Sequence, residues 1–441
     1  MIACMSSVET SVKTSASHPP ALDVAWAREQ FPSLGLRVGL HDVAYFDNPA
    51  GTQVPRHVER AIGDYFARAN ANVHGPFLTS QRTDALVQRA RVLAAAFLGA
   101  ASPEEIVFGP NMTTLTHSFS RAIGRTLRAG DEVVVSDLDH DANISPWLDL
   151  EEGGVVIRRI PIEVERGRLD LDAFERSLSD RTRLVAVGYA SNALGTVNDV
   201  RRIAERAHAA GARVWVDAVH LAPHRPIDVL ELGVDYLACS AYKFFGPHVG
   251  IVWGRRELLD GLPARRIRPA PSVAPDKFEP GTKNHEGLAG LVGAFEYLAA
   301  LGAGPGHELA DFAQARAVEQ ARPALAKAMA AIAAYEAELS RQLAEGLGAI
   351  RGLRLFGAAR PAELGERVPT FGFTLRGVDN GEVARRLGER GLFVWAGHHY
   401  ALTLMERLGL GEAGVVRVGA VHYNTAAEVQ RLLGALDELA R

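Results

Sequence analysis

From about residue 100 onward, the sequence alternates short runs of β-branched and aromatic residues with segments whose apolar residues recur at helical spacing. Several of these runs show no polar alternation, which is typical of strands covered on both faces. Strands that alternate with crossover helices form a mainly parallel sheet with helices on both sides. The sequence therefore predicts an α/β domain with strands at 106–108, 132–136, 155–160, 184–189, 213–217, 236–240 and 250–253. Because a loop rather than a helix joins the last two strands, we expect one of them to be antiparallel.

A second, smaller unit follows this domain. An Ala-rich stretch at about 315–347 predicts one or two long helices, and Pro323 is expected to start or break one of them. Further along, the pattern predicts a small α+β unit, with strands near 368–375, 393–395 and 415–419 and helices near 382–391 and from 425. We therefore expect a flexible polar tail at 1–20, a large domain with an N-terminal arm at 21–305, and a small C-terminal domain at 306–441.

The composition limits the classes of function. With 47% apolar and 23% charged residues, the chain is ordinary for a globular protein that needs no disulfides. Its formal charge of −4 creates no basic field for nucleic acid or anionic lipid. Two cysteines are too few for a disulfide framework or a four-cysteine zinc site. Neither a membrane span nor a secretory signal is evident in the sequence. We expect a cytoplasmic protein that binds neither nucleic acid nor membrane.

Polar side chains cluster at the predicted strand ends. In an open α/β sheet, ligands bind outside the carboxyl ends of the strands. Those ends carry the run GPNMTTLTHS at 109–118, residues 137–140, Ser191, Asn192, Asp217 and Ser240, with Lys243 three residues further on. The sequence therefore predicts a single site that draws residues from most of the sheet.

Lys243 is the most informative member of this set. Only five of the 48 basic residues are lysines, and this one lies between the apolar runs YLACSAY and FFG. Desolvation lowers the pKa of a lysine and makes its amine a nucleophile toward a carbonyl. Thr113, Thr114 and the amides that open the next helix suit a phosphate, and Asp217 can pair with a protonated ring nitrogen. Carbonyl, phosphate and basic ring together describe pyridoxal 5'-phosphate, which a lysine holds as a Schiff base.

The chain resembles the class V aminotransferase family of fold type I, nearest to its cysteine desulfurase and selenocysteine lyase branch. The resemblance covers nearly everything after the tail and rests on many short motifs in order. These are YFDNPA at 45–50, DH at 139–140, SNALGT at 191–196, VDAVH at 216–220, SAYK at 240–243, GTKN at 281–284, GHHYA at 397–401, Arg417 and YNT at 423–425. It implies a fold type I structure, with a large, mainly parallel seven-stranded sheet domain that binds pyridoxal phosphate and a smaller α+β C-terminal domain. It also implies a homodimer.

The resemblance assigns roles to individual residues. Lys243, Asp217 and His140 would be catalytic: Lys243 holds the cofactor, Asp217 pairs with its ring nitrogen and His140 stacks on the ring. Asn192 would approach the phenolic oxygen, and Arg417 would bind the substrate carboxylate. The other cofactor-binding residues would be Met112 through its backbone, Thr113, His220, Ser240, Tyr242 and, from a second subunit, Thr282.

Four positions depart from the desulfurase pattern. Tyr400 stands where those enzymes have a catalytic cysteine, and a phenol cannot replace the thiolate that attacks the substrate sulfur. Cys4 lies in the tail and Cys239 in a predicted buried strand, so neither is an obvious substitute. The other changes are His220 for a glutamine, Tyr242 for a histidine and Trp395 for a substrate-side arginine. We expect Trp395 and Tyr400 to contact substrate or to fill the space of the missing groups, and no persulfide chemistry.

These residues predict a pyridoxal phosphate-dependent enzyme that acts on an α-amino acid. Once Lys243 has taken the Cα proton, loss of a β-sulfur group gives C–S lyase chemistry without a cysteine. Reprotonation at the cofactor carbon gives an aminotransferase, and reprotonation at Cα gives an epimerase. A non-catalytic cofactor-binding scaffold is a further alternative. Only the resemblance to the cysteine desulfurase and selenocysteine lyase branch favours the lyase over these alternatives. No metal site is predicted, because His398 and His399 are adjacent and their side chains point in different directions.

Overall fold

The structure is a computed structural model that describes residues 22–304 and 310–441, so the predicted tail lies outside the described residues. Its helices, in chain order, are α1 (Val24–Glu29), α2 (Arg56–Arg68), α3 (Leu78–Leu98), α4 (Met112–Gly124), α5 (Ser145–Leu148), α6 (Leu171–Ser177), α7 (Val200–Ala209), α8 (Val229–Leu232), α9 (Arg256–Gly261), α10 (His285–Ala303), α11 (Ala310–Gln314), α12 (Val318–Ala349), α13 (Asn380–Glu389), α14 (Leu402–Arg407) and α15 (Ala426–Leu439).

The strands form one large sheet, one small sheet and three two-stranded pairs. In chain order they are β1 (Arg37–Val38), β2 (His41–Asp42), β3 (Ala44–Tyr45), β4 (Ile106–Gly109), β5 (Glu132–Ser136), β6 (Val156–Ile160), β7 (Ile162–Glu163), β8 (Arg168–Leu169), β9 (Thr182–Gly188), β10 (Arg213–Asp217), β11 (Tyr236–Ser240), β12 (Gly250–Gly254), β13 (Leu353–Phe356), β14 (Thr370–Leu375), β15 (Leu392–Phe393), β16 (Trp395–Gly397) and β17 (Val415–Gly419).

The large sheet has seven strands in the order β4-β12-β11-β10-β9-β5-β6. Every neighbouring pair is parallel except the two that involve β12, which runs antiparallel to both β11 and β4. The predicted α/β fold, its seven strands and the antiparallel strand after Lys243 are therefore confirmed.

Both faces of this sheet are covered, which explains the unbroken apolar runs. In β5, Val134 packs into one hydrophobic core while Val133 and Val135 pack into another on the opposite face. The same alternation holds in β10, where Val214 and Trp215 belong to different cores. Each fully buried side chain of this kind stabilises the fold by about 1.5–3 kcal/mol.

The C-terminal unit is a four-stranded sheet in the order β13-β14-β17-β16, packed against α12, α13 and α15. Its core also takes in Ala44 and Phe46 from the N-terminal arm, because β3 pairs in parallel with β15. The run predicted as one strand at 393–395 is divided, since β15 pairs with β3 whereas β16 pairs with β17. The prediction of a single strand was wrong because β15 and β16, although almost consecutive in the chain, pair with different strands.

Pro323 neither starts nor breaks a helix. It lies inside α12, five residues after the first helical residue, and its ring is exposed. The prediction fails because α12 packs into two hydrophobic cores, through Leu325 and Ile332 in one core of the large sheet and through Leu339 and Leu343 in the core of the C-terminal unit. That packing outweighs the one backbone hydrogen bond that proline removes. No helix among the described residues is long and apolar enough to cross a membrane.

Candidate functional site

The carboxyl ends of β4, β5, β9, β10 and β11 surround a cavity of about 610 Å³, here called the inner cavity. It is lined by every residue predicted on the cofactor side except Thr282: Met112, Thr113, His140, Asn192, Asp217, His220, Ser240, Tyr242 and Lys243. Because parallel strands end at the same edge of the sheet, residues as far apart in the chain as Met112 and Lys243 come together there. The predicted convergence of these side chains is observed.

A second cavity, here called the outer cavity, opens beside the first and shares His140, Asn192, Tyr242 and Lys243 with it. Its volume is about 1040 Å³, and the C-terminal unit supplies its far wall. That wall contains the three residues predicted on the substrate side, Trp395, Tyr400 and Arg417. The two cavities form one cleft between the large sheet and the small sheet, with Lys243 at their junction.

Lys243 follows β11 in a single 3-10 turn, and its side chain is buried. Its Nζ donates to the Ala50 carbonyl oxygen at 3.0 Å and also to that of Pro49. Burial, followed by the nearby Arg417 cation, lowers the pKa of Lys243 to about 7. A large fraction of the amine is therefore unprotonated at neutral pH and can act as a nucleophile or a base.

Asp217 closes β10 and faces the same cavity. Its Oδ1 accepts the Val219 backbone N–H at 2.9 Å. Burial raises the pKa of Asp217 to about 7, and the Asp139 carboxyl adds to that rise. Asp139 is itself buried and accepts hydrogen bonds from Ser136 and Asn143. A buried carboxylate beside a second carboxyl is stabilised most by a cationic partner. A protonated ring nitrogen would be such a partner.

His140 lies on the boundary of the two cavities. Its Nδ1 accepts the Ala142 backbone N–H at 3.0 Å, which places the ring proton on Nε2. Burial and the Lys243 cation lower the pKa of His140 to about 3, so the ring is neutral. On its outer side, the ring stacks with Tyr400 at a centroid distance of 5.4 Å and an interplanar angle of 20°. A neutral flat ring of this kind suits stacking on an aromatic cofactor.

The N-terminus of α4 meets the end of β11 at the floor of the inner cavity. Asn111 caps the helix by accepting the Thr114 N–H at 2.8 Å, and the Met112 N–H donates to Ser240 Oγ at 2.9 Å. Thr113 is exposed to the cavity. A 13-residue helix directs its positive end at this point, together with two hydroxyls, which is the arrangement that binds phosphate.

Arg417 is buried on β17 and reaches into the outer cavity. One Nη donates to the Asn192 backbone oxygen at 3.1 Å and the other to Asp47 Oδ1 at 3.3 Å. Burial lowers the pKa of Arg417 and raises that of Asp47. Arg417 Nε and Asn192 Oδ1 are buried side-chain atoms without a hydrogen-bond partner. These two atoms lie where the resemblance places the substrate carboxylate and the cofactor.

Three site residues were missed by sequence reasoning. Asp47, which pairs with Arg417, lies in a motif that carried the resemblance but was given no role. The carbonyl oxygens of Pro49 and Ala50, which hold Lys243, belong to the same segment. Nothing local in the sequence indicates these contacts, because 194 positions separate Pro49 from Lys243.

Thr282 is the one predicted cofactor residue that the chain does not bring to the inner cavity. It lines a separate cavity with Thr114, Ser118 and Phe278, and Asn111 borders both. His220 is buried, and its Nε2 lies 3.0 Å from Thr370 Oγ1. Burial lowers the pKa of His220 well below its usual value, so it is a neutral member of the inner cavity.

Cys239 is the fourth of the five residues of β11 and has no exposed surface, and burial raises the pKa of its thiol. It packs into the large-domain core rather than lining either cavity. In residues 22–304 and 310–441, no three His, Cys, Asp or Glu side chains are grouped so that they could hold a metal ion.

The donor set fits pyridoxal phosphate. A lysine with a lowered pKa, a buried carboxyl with a raised pKa and a helix N-terminus with two hydroxyls surround one cavity. The unpartnered Asn192 Oδ1 adds a polar atom on the same wall. These groups match the aldehyde, the ring nitrogen and the phosphate of that cofactor.

Comparison with known proteins agrees with this geometry. The model of the family described as Aminotransferase class-V matches residues 44–323 and 312–432. A cysteine desulfurase of Synechococcus elongatus is 33% identical over 98% of this chain, and a probable cysteine desulfurase of Synechocystis sp. is 32% identical over 95%. The chain spans 66% of the length of the first relative and 96% of the second.

Among solved structures, the apo structure of cysteine desulfurase from Thermococcus onnurineus NA1 has a TM-score of 0.82 and 28% sequence identity. The match covers 96% of this chain and 99% of that one. The fold type I architecture predicted from the motifs is thereby confirmed. The chain belongs to the class V aminotransferase family of pyridoxal phosphate-dependent enzymes.

Proposed function

We propose that this protein is a pyridoxal phosphate-dependent lyase that cleaves the C–S bond of a sulfur-containing α-amino acid without forming an enzyme persulfide. The observation that carries the proposal is the position of Lys243. Its amine has a pKa of about 7 and stands at the junction between a cavity that fits the cofactor and one that contains Arg417.

The residues that would hold the cofactor are those of the inner cavity. Lys243 would bind its aldehyde carbon, Asp217 would face the ring nitrogen and His140 would cover one ring face. Asn192, His220 and Tyr242 would surround the ring, and Met112, Thr113 and Ser240 would hold the phosphate. When bound, pyridoxal phosphate supplies an electron sink that stabilises the negative charge left at Cα of the substrate.

The chain's own residues perform the remaining tasks. Arg417 binds the substrate carboxylate, and its contacts with Asp47 and the Asn192 carbonyl fix the plane of the guanidinium. The Lys243 amine accepts the Cα proton, which its lowered pKa allows at neutral pH. His140 stays neutral, and Asp217 stabilises positive charge on the far side of the cavity.

The proposal that no persulfide forms is supported by Cys239, the one cysteine in residues 22–304 and 310–441. It is buried in the sheet, and its raised pKa disfavours the thiolate. Tyr400, which stands where the resemblance expects a catalytic cysteine, lines the outer cavity. A substrate sulfur that leaves as a thiolate needs no nucleophile on the protein, which is why we favour β-elimination.

The proposal is tested by titrating the purified protein with pyridoxal phosphate and following the near-visible absorption spectrum. We expect a new band in the wild-type protein and in Lys327→Ala, a matched control on the exposed face of α12. We expect no such band in Lys243→Ala. Release of thiol from S-substituted cysteines by the wild-type protein, measured with a thiol reagent, then tests the lyase chemistry. A band that persists unchanged in Lys243→Ala contradicts the assignment.

A further inference from the structure

We propose that Trp395 and Tyr400 form an aromatic subsite that selects cysteines whose sulfur carries an apolar or aryl substituent. The inference rests on the proposed function and names its substrate class. It is drawn from the position of two large exposed aromatic side chains in the outer cavity, from the backbone that holds one of them, and from the charge of the wall around them.

Trp395 stands next to the carboxylate-binding residue. It is 61% exposed and lies directly opposite Arg417 in the antiparallel pair of β16 and β17. Side chains opposite each other in such a pair project from the same face of the sheet, about 5 Å apart at their Cβ atoms. A substrate whose carboxylate binds Arg417 therefore has the Trp395 indole beside it.

Tyr400 is held over the other side of the cleft by a constrained loop. Tyr400 and the preceding His399 both adopt positive φ, at 57° and 53°, a conformation that non-glycine residues rarely take. Consecutive residues in this region persist only where the surroundings fix them. The ring is thus positioned by its backbone, although 68% of the residue is exposed.

Hydrogen bonds from both units hold that loop in place. The Asn192 side chain donates to the His399 carbonyl at 2.7 Å, and the Asp141 N–H donates to the Tyr400 carbonyl at 2.7 Å. The Tyr400 N–H donates to His398 Nδ1 at 3.0 Å. On its inner side, the Tyr400 ring stacks on His140. An exposed aromatic ring that is anchored in this way presents its free face to a ligand in the outer cavity.

Apart from Lys243 and Arg417, which serve the reaction centre and the α-carboxylate, the side chains that line the outer cavity are aromatic, imidazole, amide or small apolar groups. Of these, His398 lies 3.7 Å from Glu412, and burial keeps His399 neutral by lowering its pKa. The cavity therefore favours an uncharged, apolar substituent over an acidic one.

The chemistry balances without any further reactant except water. The Cα–H bond breaks and its proton goes to Lys243. The Cβ–S bond then breaks, and its electron pair leaves with sulfur as a thiolate. The products are the thiol, once the thiolate takes up a proton, and 2-aminoacrylate, which water converts to pyruvate and ammonia. No oxidant is needed, and an aryl substituent improves the leaving group because it lowers the pKa of the departing thiol.

The test compares S-phenyl-L-cysteine with S-carboxymethyl-L-cysteine on the cofactor-loaded protein. Binding is measured before turnover by the stopped-flow change in the absorption band of the bound cofactor, a signal that does not come from Trp395 and is therefore available in every variant. Thiol release is measured separately as kcat/KM.

We expect the phenyl ligand to bind about tenfold more tightly in the wild-type protein, as stacking on two rings implies. Trp395→Ala and Tyr400→Ala should each lose about threefold of that preference, while Trp395→Phe keeps most of it. Leu40→Ala, at an exposed apolar residue that lines neither cavity, should behave as the wild type.

Different results would contradict the aromatic subsite and the lyase reaction. Equal affinity for both ligands in the wild type, or a preference that survives both alanine variants, overturns the aromatic subsite, even if thiol is released. A preference that depends on Trp395 and Tyr400, found together with no thiol release from any S-substituted cysteine, supports the subsite and overturns the lyase reaction.

Discussion

At the scale of single residues, the cleft places ionisable groups where burial opposes their charge. Lys243 and Asp217 both have a pKa near 7, one lowered and the other raised, and burial is the main cause in each case. Such groups destabilise the fold in their charged forms unless a partner compensates. Functional sites commonly contain such destabilising groups. A reactive amine and a carboxyl that pairs with a cofactor ring both depend on burial for their shifted pKa.

Asp217→Asn should therefore stabilise the cofactor-free protein at pH 8. The folded pKa of Asp217, about 7, lies above its value of 3.8 in the unfolded chain. As pH rises between these values, the unfolded chain loses a proton that the folded protein retains, so stability falls and the full penalty is present above pH 7. Asparagine removes the charge and still accepts the Val219 N–H. We expect a gain of about 2–4 kcal/mol in urea unfolding.

That gain should narrow as the pH is lowered toward 4, where the wild-type carboxyl is protonated in both states. Cofactor-loaded protein should show the opposite order, because Asp217 then has a cationic partner. A constant difference between pH 4 and pH 8 would contradict the raised pKa.

The residues of the site differ in how well the sequence revealed them. Lys243, Asp217 and His140 could be predicted because each follows a buried strand or lies in a motif. Asp47 could not, since its partner Arg417 is 370 positions away and β3 is only two residues long. A two-residue strand carries no periodic signal, so its pairing depends on tertiary contacts.

At the scale of elements, the buried strands were predicted closely and the C-terminal strands less so. β5, β10 and β11 have the predicted bounds, because apolar runs covered on both faces end sharply at polar residues. β15 and β16 are separated by one residue and join different sheets. The division into two strands depends on the partner strand that each one contacts in the folded protein. A local sequence pattern does not specify that partner.

Pro323 gives a prediction at this scale. In the interior of α12 it removes one backbone hydrogen bond, and its exposed ring gains little burial in return. Pro323→Ala should raise the free energy of unfolding by about 1–2 kcal/mol, less than the roughly 3 kcal/mol of an interior proline because alanine also frees the unfolded chain. Lys327→Ala, one turn further on, should change stability by less than about 0.5 kcal/mol. Urea unfolding measures both, and a destabilised Pro323→Ala would contradict the cost assigned to the proline.

At the scale of the whole molecule, α12 contributes to one core of the large sheet and to the core of the C-terminal unit, and the cleft lies between the large and the small sheet. We propose a large cofactor-binding domain and a small C-terminal domain whose boundary falls near 305, and a homodimer as the active form. Thr282 lines a separate cavity rather than the inner cavity of its own chain. Phe66, Phe77 and Leu78 are exposed at the end of α2 and the start of α3. In the same region, the ring centroids of Tyr65 and His285 are 6.3 Å apart.

Mixed dimers test this arrangement directly. If Thr282 serves the partner's cofactor, a dimer of one Lys243→Ala chain and one Thr282→Ala chain contains one intact site and one site with both defects. We expect the mixed dimer, purified from co-expressed chains, to regain tight pyridoxal phosphate binding at about half of its sites, measured by the Lys243-dependent absorption band. If Thr282 acts within its own chain, no site is intact and tight binding does not return. Sedimentation of the 47.4 kDa chain, with Phe77→Asp against Leu40→Asp as the control, checks the assembly itself.

The N-terminal arm has a consequence for how the protein is made. Asn48 donates to the Gly419 carbonyl, 371 positions away, and β3 finds its partner only in β15. At about 5–20 residues per second, a ribosome needs roughly 20–75 s to synthesise the intervening chain. During that interval the arm, with the apolar Phe46, emerges without its partner strand. The cleft is therefore completed only after β17 has been synthesised, and until then a segment that the folded protein buries lacks its partner strand.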